Sequence, residues 1–169
     1  MLHFFSITLF PLLMIVAGAG DALAMRIPNW LTLSIAVAFL PVALLSAMPL
    51  AAVALHVAVG MGLLVVGFAF FSFGIFGGGD AKLLAAAGLW LGWPGFISFL
   101  VMTALAGGGL ALVVCAWSLF CHDRSFRGGT LFERFATIKP NVPYGYALAI
   151  GAILAFSQSS WISGASAWG

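Results

Sequence analysis

All the charge in this chain sits in three places. The six Lys/Arg and four Asp/Glu side chains are Asp21 and Arg26; Asp80 and Lys82; and Asp123, Arg124, Arg127, Glu133, Arg134 and Lys139. The intervals between these clusters are apolar and long enough for membrane spans of about 20 residues each. Charged residues make up 6% of the chain, whereas a soluble domain carries about 25%. No aqueous surface can be built from so few, so the chain reads as an all-α integral membrane protein. Its net charge of +2 is too small and scattered for a nucleic-acid partner.

The expected architecture is a bundle of about six transmembrane helices in one membrane-embedded domain, residues 1–169, with no separate soluble domain. The first span covers about residues 3–20. Ala22-Leu23-Ala24 has the form of a signal-peptidase site. However, only His3 precedes the apolar run and Arg26 follows it, which is the wrong polarity for a cleaved signal. A polar junction runs from Asp21 to Asn29, where Asn29 is a candidate N-cap and Pro28 stops the first helix. Trp30 suits the interfacial aromatic belt. The second span is about 30–47, with Pro41 expected to kink it, and Met48-Pro49 turns into a third span of about 50–73.

Phe73 to Gly79 then reads as a non-helical, Gly-rich segment, because each interior Gly costs a helix about 1 kcal/mol. Asp80 opens a short fourth segment of about 80–92, ending at Trp93-Pro94-Gly95. A fifth span of about 95–120 contains Gly107-Gly108-Gly109, suited to close helix packing. A hydrophilic loop from Cys121 to Asn141 follows, and a sixth span runs from Pro143 to about Trp161. With six spans, all three charged clusters fall on one face, and the opposite turns at 48–49 and 93–95 carry no charge. The positive-inside rule makes that face cytoplasmic and puts both termini outside.

Asp21 and Asp80 therefore meet at the cytoplasmic ends of spans. Ionisable residues at such depth are costly and are functional candidates. Two carboxylates in one low-dielectric site share a proton, leaving one as general base and one as acid. Gly77, Gly78 and Gly79 let an extended peptide approach Asp80 closely. The alternative is structural: each Asp caps a helix or is neutralised by Arg26 or Lys82. Lys82, two positions past Asp80, diverges from it on a helix and is available to Asp21, a substrate or lipid headgroups, snorkelling by default. The glycines lack the Gly-Lys-Ser/Thr ending of a phosphate loop. His3, His56 and His122 show no metal-ligand spacing, and Cys115 and Cys121 read as apolar fillers, so the residues point to no metal site.

Asp21 followed by Ile27-Pro28-Asn29, together with Gly77-Gly78-Gly79-Asp80-Ala81-Lys82, resembles the type IV prepilin peptidases, integral-membrane aspartic proteases with a GxGD motif. The short chain looks most like the branch serving tight-adherence (Flp) pili, to which Val142-Pro143-Tyr144-Gly145 is also similar. The resemblance implies catalysis by Asp21 and Asp80 without a cofactor. It further implies cleavage of prepilin leaders at the cytoplasmic face of the inner membrane, and contact with membrane lipid and pilus-assembly machinery. Arg26, Pro28, Asn29, Gly77, Gly78, Gly79, Lys82, Pro143, Tyr144 and Gly145 are the expected supporting residues. Larger members insert a cysteine-rich cytoplasmic segment and also N-methylate the pilin. Here the Asp21–Asn29 junction is short and cysteine-free, so neither zinc nor methyl transfer is expected. Presenilin-like proteases share GxGD but place their other Asp within a span, typically after Tyr. The non-enzyme alternative is a small transporter or assembly subunit that uses the Asp pair for protons or cations.

Overall fold

In the computed structural model, residues 2–75, 77–121 and 144–163 are described. Helices α1 (Leu2–Ala24), α2 (Asn29–Leu45), α3 (Leu50–Ser72), α4 (Gly78–Cys121), α5 (Tyr144–Phe156) and the single turn α6 (Ser160–Ser163) follow one another, with no strand among the described residues. Three of these are long and apolar enough to cross a membrane, over Ile7–Ala24, Leu50–Ser72 and Gly78–Val114, while α2 and α5 are shorter and apolar. The protein is a multi-pass membrane protein, with Leu12, Val37, Val65 and Trp117 among the large apolar side chains on its outer surface.

Five substantial helices stand where six spans are expected. The expected fourth and fifth spans form one helical run, interrupted only at Gly92, whose φ of 61° and ψ of −170° lie outside helical geometry. A side chain is strained at that φ, and a Cβ there would strike the His56 ring. The partners on either side of the break reverse their order. Before it, Ala81 faces Gly67 and Leu89 faces Gly60, so this arm runs antiparallel to α3. After it, Ser98 bonds Gln158, Thr103 packs on Gly151 and Gly107 meets Ala147, so the second arm runs back along α5. The α3 seam is built from small residues that bring the backbones close: a Cβ on Gly67 would lie 3.1 Å from Ala81. Of the three consecutive glycines in the second arm, only Gly107 makes such a contact; Gly108 and Gly109 face open space.

The break frees carbonyls, and buried side chains take them up. Pro94 has no N–H to offer the Trp90 carbonyl four residues earlier. Trp161 Nε1–H donates to that oxygen instead at 2.7 Å, and His56 Nδ1–H donates to the Leu89 oxygen at 2.8 Å. Trp90 in turn donates its own Nε1–H to Ile35 O at 2.8 Å. These rings pack with Phe10, Phe39 and Phe156 into one buried aromatic cluster, Phe10 stacking on Trp90 at 5.0 Å. The cluster holds the end of the bundle opposite Asp21 and Asp80.

Helix ends differ from the sequence expectation in three places. The first helix runs on to Ala24, so Asp21 lies in its last turns and not in a junction. Pro28 stands at the N-cap of α2, so Asn29 is the first helical residue, one past the cap position, and its side chain is engaged by Lys82. Gly78 and Gly79 are helical, so the irregular segment ends at Gly77. Gly74, with φ 70°, closes α3 in a Schellman turn: its N–H reaches Phe71 O and that of Ile75 reaches Phe70 O, both at 2.9 Å. A second such turn closes α2, with Ala47 at φ 50° in the left-handed position and Met48 N bonding Ala43 O at 3.0 Å. The hydrophilic loop after Cys121 lies outside the described residues.

Candidate active site

Asp80 is the third residue of α4, and its carboxylate accepts from the backbone N–H of Gly77, the residue before the helix. This is the back-reaching half of a capping box. It also explains why two glycines can begin a helix: the first turn's otherwise orphaned donor is satisfied by the helix's own third side chain. The fit is close, since a Cβ on Gly77 would lie 2.9 Å from Asp80 Oδ2.

Asp21 is buried, with 6% of its surface accessible. Its Oδ2 accepts from the backbone N–H of Tyr146 at 3.3 Å, with the Gly145 N–H alongside. Those donors belong to the first turn of α5, whose leading N–H groups have no partner within the helix. Asp21 thus caps a helix that begins far along the chain. Gly145 makes the approach fit, because a Cβ there would lie 2.9 Å from Asp21 Cγ. Each carboxylate therefore faces the positive end of a helix, α4 for Asp80 and α5 for Asp21, which favours negative charge there.

Asp21 and Asp80 line one cavity of about 570 Å³ and lie within electrostatic range of each other. Arg26, Pro28, Asn29, Gly77, Gly78 and Gly79 line the same cavity, with Met25 and Ile27. Lys82 stands outside the lining, and its Nζ donates to Asn29 Oδ1 at 2.8 Å. Among the described residues no ion pair joins Arg26 or Lys82 to either aspartate. Gly145 touches Asp21 from behind, and Tyr144 opens α5. Pro143 lies outside the described residues.

Residues 8–112 of the chain, well over half of its 169 residues, match the model of the type IV leader peptidase family. The chain belongs to that family. Comparison with curated proteins and with solved structures returned no match. Membership of the type IV leader peptidase family makes the protein a protease-type hydrolase of the membrane, with prepilins as its general substrate class. The matched stretch includes both aspartates and every described cavity-lining residue, and it ends before α5.

Three site features escape a reading of the sequence. Ile27, buried between Gly79 and Gly145, forms the apolar floor joining the two halves of the site; it is part of Ile27-Pro28-Asn29, and its apolar character gave no separate signal. Met25 lines the cavity from a left-handed backbone, φ 50°, which no local pattern announces. The Tyr146 donor is a main-chain group and leaves no trace in residue type.

Proposed function

We propose that this leader peptidase is an aspartic endopeptidase in which Asp21 and Asp80 are the catalytic pair, cleaving the leader from type IV, Flp-like prepilins. The observation that carries the reading is the cavity itself. Two carboxylates 59 residues apart in the chain line one opening at the end of the bundle, each steadied by backbone N–H donors. Each carboxylate also caps a helix start, but capping does not call for two like charges on one opening.

The chemistry follows from sharing one proton between the two groups. The ionised carboxylate takes a proton from a water molecule, which attacks the scissile carbonyl; the protonated one donates to the carbonyl oxygen as it gains charge. The tetrahedral intermediate collapses with proton transfer to the leaving amine, and the pair returns to its starting protonation. Met25, Ile27 and the Gly77–Gly79 backbone shape the space where an extended leader would lie. Arg26, on the cavity rim, is suited to the acidic or headgroup-bound part of such a substrate.

In this reading the pair sits at the cytoplasmic face of the inner membrane. Asp21 and Arg26, at the end of α1 and just after it, and Asp80 and Lys82, at the start of α4, gather at that end, and the opposite turn at 48–49 and break at 92–95 are uncharged. The antiparallel arms of α4 fit six crossings in a single peptidase domain. The short, cysteine-free junction between Asp21 and Asn29 leaves no room for a separate methyl-transfer module.

Co-expression with a Flp-type prepilin in cells lacking other leader peptidases tests the assignment. Unsubstituted protein converts the prepilin to its shorter form, and Asp21→Asn and Asp80→Asn each leave it at full length while inserting normally. Full processing by either variant overturns the catalytic pair. An unprocessed pilin with an ion flux sensitive to Asp→Asn would favour a transporter instead.

A further inference from the structure

Asn29 stands at the rim of the cavity, and its amide has a defined orientation. The Lys82 ammonium can only donate, so the amide atom that faces it must be the oxygen. With Oδ1 held 2.8 Å from Lys82 Nζ, the amide turns its NH2 group away from Lys82. Lys82 does not line the cavity and Asn29 does. No described residue accepts from Asn29 Nδ2. A side-chain donor pair is thus presented at the edge of the opening that holds both carboxylates, with its direction fixed by a residue outside.

We infer that Asn29 Nδ2 is a substrate-binding donor that holds a backbone carbonyl of the extended peptide, and that Lys82 is the positioning residue that fixes its orientation. This rests on the peptidase reading above. An extended peptide entering a cleft leaves its carbonyls without partners unless the site supplies N–H donors. The three backbone donors described at the carboxylates, from Gly77, Tyr146 and Gly145, are already engaged by Asp80 and Asp21. Asn29 carries the amide donor among the cavity-lining side chains, the other lining groups being apolar, Gly, Asp or the Arg26 guanidinium.

The Lys82–Asn29 bond also joins the start of α2 to the start of α4, so a purely structural latch must be separated from substrate binding. Asn29→Asp does so, because the carboxylate still accepts from Lys82 while losing the NH2 group. KM and kcat are measured for cleavage of a synthetic prepilin leader peptide by the full-length protein in detergent, at the pH plateau of each variant. Asn29→Asp and Asn29→Ala each raise KM roughly 3- to 10-fold, the range for one neutral hydrogen bond, with kcat within about 2-fold. Lys82→Met raises KM similarly, Lys82→Arg restores it, and Lys82→Met adds nothing in the Asn29→Ala background. An unchanged KM in Asn29→Asp overturns the inference and leaves a latch; so does an effect confined to kcat. Absence of cleavage by the unsubstituted protein sinks the peptidase reading and this one with it, whereas turnover with these KM values unmoved sinks this one alone.

Discussion

Asp21 near the end of α1 accepts a hydrogen bond from the backbone N–H of Tyr146, 125 residues further on, at 3.3 Å. The contact ties the orientation of one carboxylate to the docking of α5. It makes Gly145, which has no polar atom in its side-chain position, a residue on which that carboxylate's placement depends.

Gly145→Ala puts a methyl group 2.9 Å from Asp21 Cγ, so the carboxylate or α5 must shift. Leader cleavage should fall roughly 10- to 100-fold, the scale of a small misplacement of a reacting group. Tyr146→Ala keeps its N–H and should retain activity within about 3-fold. Initial rates at matched protein levels check both.

Because the proposed mechanism needs one proton on the pair, kcat should be bell-shaped in pH. At low pH both groups are protonated and no base remains; at high pH both are ionised and no acid remains. The two limbs belong to the pair and not to either residue. Peptide cleavage followed from about pH 4 to about pH 9 measures this; a profile with a single limb would count against a shared proton.

Trp161→Phe keeps an aromatic ring in the buried cluster but removes the donor to Trp90 O. That carbonyl, already without a helix partner because of Pro94, is left unsatisfied. The expected loss is about 1–2 kcal/mol of stability, read as earlier unfolding in a detergent titration. The site lies at the other end of the bundle, so KM for the leader peptide should not change.

Ala47→Gly should have the opposite sign. Ala47 holds φ 50° in the turn between α2 and α3, a conformation that costs an L-residue about 1 kcal/mol. Relief of that strain, less the greater freedom of the unfolded chain, leaves a gain of up to about 1 kcal/mol. A rise in the thermal midpoint in detergent is the expected result.

The parts of this fold that depend on long uniform runs could be read from the chain. The third span, expected at about 50–73, is α3 at Leu50–Ser72, because Pro49 and Gly74 bound it and its interior glycines, Gly60, Gly62 and Gly67, stand singly in an apolar run. The meeting of Asp21 with Asp80 followed from the grouping of charge at the junctions. Features set by tertiary partners were not legible. Glycine propensity argues against a helix at Gly78 and Gly79, yet Asp80 satisfies the Gly77 N–H and the helix begins there. Asn29 has the chemistry of an N-cap, but Lys82 from another helix takes its oxygen. The turn expected at 93–95 is instead a one-residue break at Gly92, made tolerable by His56 and Trp161 from elsewhere in the chain.

That break also imposes an order on assembly during synthesis. The two carbonyls freed at the bend are served by residues made at different times. His56, the partner of Leu89 O, has already left the ribosome when Gly92 emerges; Trp161, the partner of Trp90 O, is made only after the whole of α5. The bend can form as soon as its own arm meets α3, but one of its carbonyls stays open until the last described helical turn arrives. A nascent chain halted before Trp161 would carry a bent but unfastened α4, and Trp161 acts as the clasp that closes it.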